Sequence, residues 1–482
     1  MKSLLLLLSV LWSLNTMAQS VFNNFLSGID TSDTKKQKEE VIAYYLPIME
    51  EQGIPFIEGD TANFIYIGQG TAVVLAGDFN GWSDSDTLYH IESTDFFYYR
   101  GIYEQTARLD YKFIVDGNWI LDPKNPNTCT GGYGPNSELA MPGYVQPWEI
   151  KSYPGTEKGS VTSTSFHSDI MNKNYQVQIY LPPGYDDSGN TAYPSLYVQD
   201  GQEYISLGGM NNVIDNLLDS NKIDPVIGIF LRPTNRNEEY GFSLRYDYKD
   251  FIIQELVPYI DANYPTIKSP AWRLIMGTSL GANVSGLTAY EHPEIFGMCG
   301  LHSPAFWVND FEVARWYTDS LYKDIKLYWV AGTYEDLGID WKTFSDSLTK
   351  KGYVFDYSIY HEGHSWGLWR ATCDEMLTFF FPKGSAPLGI KVTERDNHVL
   401  GQNYPNPFSG LTTIPVTVTE SGNYTLRQYA SDGKLIQVVA DRFMTPGEYR
   451  FEIDASSLSP GVYYYSLKSP HGISNRSMIL LK

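Results

Sequence analysis

Hydrophobic residues change their spacing twice along the chain. Between positions 63 and 145, short runs alternate apolar and polar residues, as in "TAVVLAGDFNGW", "FFYYRGIY" and "LDYKFIVDGNWILDP". Asn-Gly and Asp-Gly pairs separate them. A period of two broken by such pairs predicts the half-buried strands of an all-β sandwich. From Ser160 the texture differs. "YQVQIYL" alternates, while "YPSLYVQ" and "PVIGIFL" are continuous apolar runs of buried-strand type. "YKDFIIQELVPYIDANY" sets Phe251, Ile252, Leu256 and Ile260 on one helical face. "WRLIM", "MCGLH" and "KLYWV" are further short apolar runs, and "WKTFSDSLTKKG" reads as a helix stopped by Gly352. Strands alternating with helices predict an α/β domain whose parallel sheet is covered on both faces. Beyond position 399 the pattern returns to short strands with Gly and Pro turns. The expected division is a signal segment 1–18, a helical lead-in 19–62 and a β-sandwich 63–145. A linker 146–159, an α/β domain 160–383, a second linker 384–398 and a β-rich tail 399–482 follow. The stretch "MPGYVQPWEIKSYPGTEKG", which contains the first linker, carries three prolines and reads as a tether.

The first eighteen residues have the layout of a secretory signal: Lys2, the apolar run Leu4–Leu11, then Thr16-Met17-Ala18 before Gln19. That run is too short to span a bilayer, and no later one is long enough. The expectation is export without a transmembrane segment. The formal net charge of −21 would repel a polyanion, so nucleic acid is not an expected partner. Three cysteines, Cys129, Cys299 and Cys373, lie far apart and form no disulfide framework. No Cys/His group has zinc spacing, so no metal is expected. Aromatic residues make up 15% of the chain, which suits β-rich modules and carbohydrate-facing surfaces.

Chemistry enters at "LIMGTSLGAN". Gly277 and Gly281 bracket Ser279 at two-residue spacing, after a strand-like run and before a helix-like one. Gly-x-Ser-x-Gly recurs by chance, but a strand–turn–helix context makes it a nucleophile elbow. That arrangement requires an acid and then a histidine further along the chain. "YWVAGTYEDLGID" puts Glu335 and Asp336 just past a strand, and "SIYHEGHSWGLW" puts His361 and His364 past the next. A serine hydroxyl becomes nucleophilic when a base takes its proton. His364, or His361 nearer the strand end, can do so near neutral pH, and Glu335 or Asp336 would orient the imidazole. Two backbone N–H groups must stabilise the oxyanion. Leu280, after the nucleophile, supplies one, and the "DGQ" loop at Asp200–Gln202 supplies the other. Arg236 and Glu239 either line the cleft or form a structural ion pair. His292 and His302 read as ordinary fold residues.

The stretches "IYLPPGYDD", "LYVQDGQEY", "NRNEEY", "QELVPYIDANY", "GTSLGA", "EHPEIFG" and "EGHSW" together resemble the esterase D family. That family contains feruloyl, acetyl xylan and enterochelin esterases and mycolyltransferases. The resemblance implies an α/β-hydrolase fold with Ser279, His364 and Glu335 as triad, Asp336 being the alternative acid. It places the second oxyanion donor at the Gln202 N–H. Ala282 departs from a second glycine found in many members. "VVLAGDFNGW", "YKFIVDGNWILDP" and "GPNSELAMP" resemble the glycogen-binding module family, an immunoglobulin-like sandwich. Its sugar contacts map onto Trp82, Lys112 and Trp119, with Asn136 a looser match. "LGQNYPNPFSGLTTI", "YASDGKLI", "SSLSPGVYYYSL" and "MILLK" resemble the type A sorting domain of the type IX secretion system of Bacteroidetes.

The expected protein is an exported serine carboxylesterase, without cofactor or metal, acting on feruloyl or acetyl esters of plant polysaccharides. It would be handled by the type IX machinery and released or held at the cell surface. A siderophore ester hydrolase is the alternative enzyme. A surface polysaccharide-binding protein with an inactive hydrolase block is the alternative of another class.

Overall fold

The computed structural model describes residues 20–188, 191–387, 398–430, 434–469 and 473–481. The expected signal segment lies outside them. The chain divides into two compact units, Met1–Leu388 and Gly389–Lys482.

Among the described residues, the first unit opens with two helices, Val21–Asp30 and Lys35–Gln52. Thr34 and Gln37 form a reciprocal capping box at the start of the second. Phe22, Phe25 and Met49 bury against Phe56, Ile65 and Phe96. The lead-in is therefore fused to the sandwich, whose first strand, Phe56–Glu58, begins ahead of position 63. Phe56 is drawn in because it closes the core beneath the helices.

Two sheets make the sandwich. One has four strands, Phe56–Glu58, Thr61–Ile67, Phe96–Ile102 and Tyr89–His90 in spatial order. The other is built around Arg108–Val115, which pairs with Val73–Gly77 on one side and Gly134–Ala140 on the other. Phe64, Leu75, Leu109, Tyr111, Phe113 and Leu139 fill the space between the sheets. The segment 146–159 does not behave as a free tether. Asn212 and Asn216 of helix Met210–Asp219 hydrogen-bond the carbonyls of Glu149, Ile150 and Lys151.

The α/β domain holds eight strands, numbered here within its own sheet. They are β1 Ser160–Ser168, β2 Lys173–Leu181, β3 Ser195–Val198, β4 Ile227–Arg232, β5 Arg273–Thr278, β6 Met298–His302, β7 Lys326–Gly332 and β8 Val354–Tyr360. The spatial order is β1-β2-β4-β3-β5-β6-β7-β8. β2 pairs antiparallel with β1 and β4, and every other pairing is parallel. Side chains of β5 alternate between two cores. Ile275 joins Phe251, Ile252, Leu256 and Ile260 on one face. Leu274 and Met276 join Val213, Ile214, Leu217 and Met376 on the other. This is the order of an α/β hydrolase, and the helical face read from the sequence is the buried one.

In the second unit, strands His398–Leu400, Leu411–Val418 and Gly447–Asp454 form one sheet. Leu435–Met444, Gly422–Ala430, Gly461–Lys468 and Ile473–Leu480 form the other. Ile414, Val416, Leu426, Tyr465 and Met478 are among its core residues.

Candidate active site

Ser279 stands between β5 and helix Leu280–Glu291 with φ 57° and ψ −118°. A non-glycine residue at positive φ is strained, and the surroundings must hold it there. They do so through hydrogen bonds: Ser279 N–H donates to His302 O at 2.9 Å, and Ala305 N–H to Ser279 O at 3.0 Å. Gly277 is required by closeness, because a Cβ there would lie 2.5 Å from the Gly281 carbonyl.

His364 follows β8, and its Nε2 lies 2.9 Å from Ser279 Oγ. Its Nδ1 lies 3.7 Å from Glu335 Oε1. Glu335, just past β7, is 1% exposed at its side chain, against 37% for His364. Asp336 is turned to the surface and accepts a hydrogen bond from Gly338 N–H. His361 points elsewhere, its Nδ1 lying 2.8 Å from Thr106 Oγ1 of the sandwich.

Ser303 and Trp369 complete this network and were missed in the sequence. Ser303 Oγ donates to Glu335 Oε1 at 2.5 Å and accepts from Trp369 Nε1 at 2.9 Å. The edge of Trp369 meets His364, with centroids 5.0 Å apart. Nothing local marks Ser303 except its place directly after β6. His302, beside it, is fully buried between Tyr204 and Thr372. Burial pulls its pKa down to about 3, so it is a neutral fold residue.

Leu280 is the first residue of its helix and Gln202 the second of helix Gly201–Ser206. Backbone N–H groups in a first helical turn have no intrahelical acceptor and are available to an anion. The two turns are neighbours, since Gln199 N–H donates to Met276 O at 2.8 Å. Arg236 does not pair with Glu239. It makes a two-pronged bond to Asp200, at 2.8 and 2.7 Å, and lines the cleft. Glu239 is buried and bonds Tyr175 and Lys173.

The cleft has a volume of about 730 Å³ and two walls of different origin. Ser279, His364, Glu203, Arg236 and Trp366 belong to the α/β domain. Trp82, Lys112, Trp119, Tyr133 and Asn136 belong to the sandwich. All four residues mapped as sugar contacts thus face the same space as the serine. Trp82 and Trp119 stack with centroids 6.3 Å apart. Trp82 Nε1 donates to Asp78, and Asn136 Nδ2 to Asp110. Tyr133, at the tip between strands Thr128–Gly131 and Gly134–Ala140, is fully exposed. Among the described residues no group of His, Cys, Asp and Glu could hold a metal ion. The three cysteines are buried and unpaired.

Residues 168–380 match the family described as putative esterase. The chain carries an esterase domain. Residues 61–134 match the glycogen recognition site of AMP-activated protein kinase, and residues 402–481 match a secretion system C-terminal sorting domain. An uncharacterised protein of Bacillus subtilis (strain 168), YjcH, is 29% identical over 230 residues, 44% of this chain and 94% of that protein. An endo-1,4-beta-xylanase/feruloyl esterase of Xylanibacter ruminicola is 28% identical over 206 residues, 40% of this chain and 28% of that protein. The ferric enterobactin esterase of Salmonella typhimurium shares the fold with a TM-score of 0.57 at 18% identity, over 66% of this chain and 93% of its own.

Proposed function

We propose that the esterase is an exported serine carboxylesterase that removes feruloyl or acetyl groups from plant polysaccharides. The observation that carries this reading is the shared cleft, with a serine–histidine pair on one wall and stacked indoles on the other. Indole faces suit pyranose rings, and Lys112 and Asn136 suit hydroxyls. Ser279 Oγ attacks the ester carbonyl while His364 Nε2 takes its proton. Glu335 holds the imidazolium. The tetrahedral oxyanion rests on the N–H groups of Leu280 and Gln202. His364 then returns the proton to the departing sugar oxygen, leaving an acyl-Ser279. A water molecule, deprotonated by the same histidine, attacks that acyl carbon and frees the acid. The sorting domain supports delivery outside by the type IX route, where polymers too large to import are met. The name of the Xylanibacter relative supports feruloyl esters.

The second reading is a siderophore ester hydrolase, favoured by the fold likeness to the Salmonella protein. An ester panel separates the two. Feruloyl and acetyl-xylan esters should turn over far faster than a catecholate trilactone. The opposite ranking would transfer the function to the second reading. Loss of all turnover with an intact fold would favour a binding protein.

A further inference from the structure

The segment carrying His364 is anchored from both domains: Tyr334 N–H of the α/β domain donates to Glu362 O at 3.1 Å, and the sandwich supplies a further set of contacts. Thr106 Oγ1 bonds His361 Nδ1 at 2.8 Å, and Arg108 N–H donates to His361 O at 3.0 Å. Arg108 NH1 lies 3.7 Å from Glu362 Oε2 and donates to Ser365 Oγ at 3.1 Å. Two glycines admit still closer contact. A Cβ at Gly363 would lie 2.1 Å from the Asp78 side chain, and one at Gly367 would lie 1.8 Å from Arg108 NH1. Positions 361, 362, 363, 365 and 367 thus all touch the sandwich, while His364 between them faces Ser279.

Arg108 is the hub. It is 0% exposed and also binds Asp110 at 2.5 Å and Glu138 at 2.9 Å. A guanidinium can serve carboxylates and a hydroxyl at fixed angles at once, which a lysine cannot. The same cluster reaches the cleft wall. Asp78 accepts from Asp110 N–H at 2.7 Å and from Trp82 Nε1 at 3.0 Å. A continuous buried chain of contacts therefore runs from a cleft-wall indole, through Asp78, Asp110 and Arg108, to the residue next to His364.

We infer that Arg108 of the sandwich is a positioning residue for the esterase reaction, fixing the segment that presents His364 to Ser279. The inference rests on the serine esterase reading. It makes the sandwich part of the catalytic apparatus independently of any glycan it binds.

The test is Arg108→Lys, assayed on a small soluble ester that does not need the sandwich wall. The positive charge is kept, but the fork to Ser365 is lost. A displaced base costs on the order of 10²-fold, so kcat should fall roughly tenfold to a hundredfold with KM unchanged. Organophosphonate labelling of Ser279 should slow by the same factor. Tyr111→Phe is the control. It removes buried bonds to Asp122 and Asn125 inside the sandwich, and should lower stability without lowering kcat. If Arg108→Lys does not fold, Ser365→Ala carries the test. It removes the hydroxyl that Arg108 holds and must lower kcat without raising KM. A folded Arg108→Lys with normal kcat and labelling would overturn the inference, as would an equal kcat loss in Tyr111→Phe or a normal kcat in Ser365→Ala standing in for an unfolded lysine variant. Ser279→Ala in the same assay separates the two levels. If it stays active, the esterase assignment fails. If it is inactive while Arg108→Lys is normal, only the role of Arg108 falls.

Discussion

Glu335→Gln and Asp336→Asn differ in consequence because the two neighbouring carboxylates occupy opposite environments. Glu335 is buried, 3.7 Å from His364 Nδ1, and held by Ser303. At that distance, a full charge pair is worth about 4–5 kcal/mol at an effective dielectric of about 20. That energy appears only when His364 becomes imidazolium in the transition state. At about 1.4 kcal/mol per decade it corresponds to roughly three decades of kcat. Solvent at His364 screens part of it, so a loss of about 10²–10³ is expected for Glu335→Gln. Asp336 is exposed and caps only a turn, so Asp336→Asn should change kcat by no more than about twofold. Initial rates on a small aryl ester measure both, with KM determined separately. Because the interaction forms on charging the base, the loss must fall on kcat and not on KM. Equal effects of the two variants, or a larger loss at Asp336, would refute the assignment of the acid.

Ser279→Ala should abolish turnover while leaving the fold intact, and an organophosphonate should label Ser279 alone by peptide mass analysis. Replacing Trp82 and Trp119 with alanine should weaken turnover of polymeric xylan esters while sparing small esters, each indole contributing roughly 1–3 kcal/mol; equal losses on both substrates would leave the sandwich only a supporting part. Burial raises Glu362 to about 8, Arg108 opposing, so its proton is bound more tightly in the folded chain than in the unfolded one. The resulting stability is full below the ordinary carboxylate pKa near 4.5 and is lost as pH rises through about 8. Glu362→Gln should therefore flatten the decline of Tm between mildly acidic and alkaline pH, and parallel profiles would contradict this. Removing residues 399–482 should leave purified esterase active but stop it reaching the cell exterior, as quantified in culture supernatant and surface fractions.

Local signals in the chain point to much of this candidate site. Gly277, Ser279 and Gly281 mark a strand–turn–helix boundary within ten residues, so sterics alone announce it. His364 and Glu335 follow because each lies just past a strand whose apolar run is visible. Glu335 and Asp336 could not be separated in sequence, since adjacent residues share one turn and only tertiary burial distinguishes them. Ser303 was invisible for a related reason: it is a small polar residue whose role depends on where Trp369 and Glu335 arrive. The linker at 146–159 looked free because its prolines and glycines say nothing of the asparagines waiting on a distant helix.

Arg108 and Ser365 are 257 positions apart, and no periodicity can join them. Sequence patterns separate the sandwich from the α/β domain because each has its own core, and that division is physically sound. Yet a cleft formed where two cores meet belongs to neither. Its serine is set by the elbow in one domain, its indoles by strands in the other, and its histidine by a segment that both hold. Burying an arginine in such a seam is costly unless every partner is in place. Three carboxyl groups, Asp110, Glu138 and Glu362, lie within 4 Å of it, and Asp78, raised to about 7 by burial and by Asp110, accepts from Asp110 N–H one contact further out. A cluster with that composition is not the cheapest way to join two domains, since apolar packing of equal volume is often as stable. What it supplies is orientation: a guanidinium fixed by several carboxylates leaves the neighbouring loop few alternative positions. The burial of so much charge beside His364 is therefore better explained by the geometry that the base requires than by the stability of the seam.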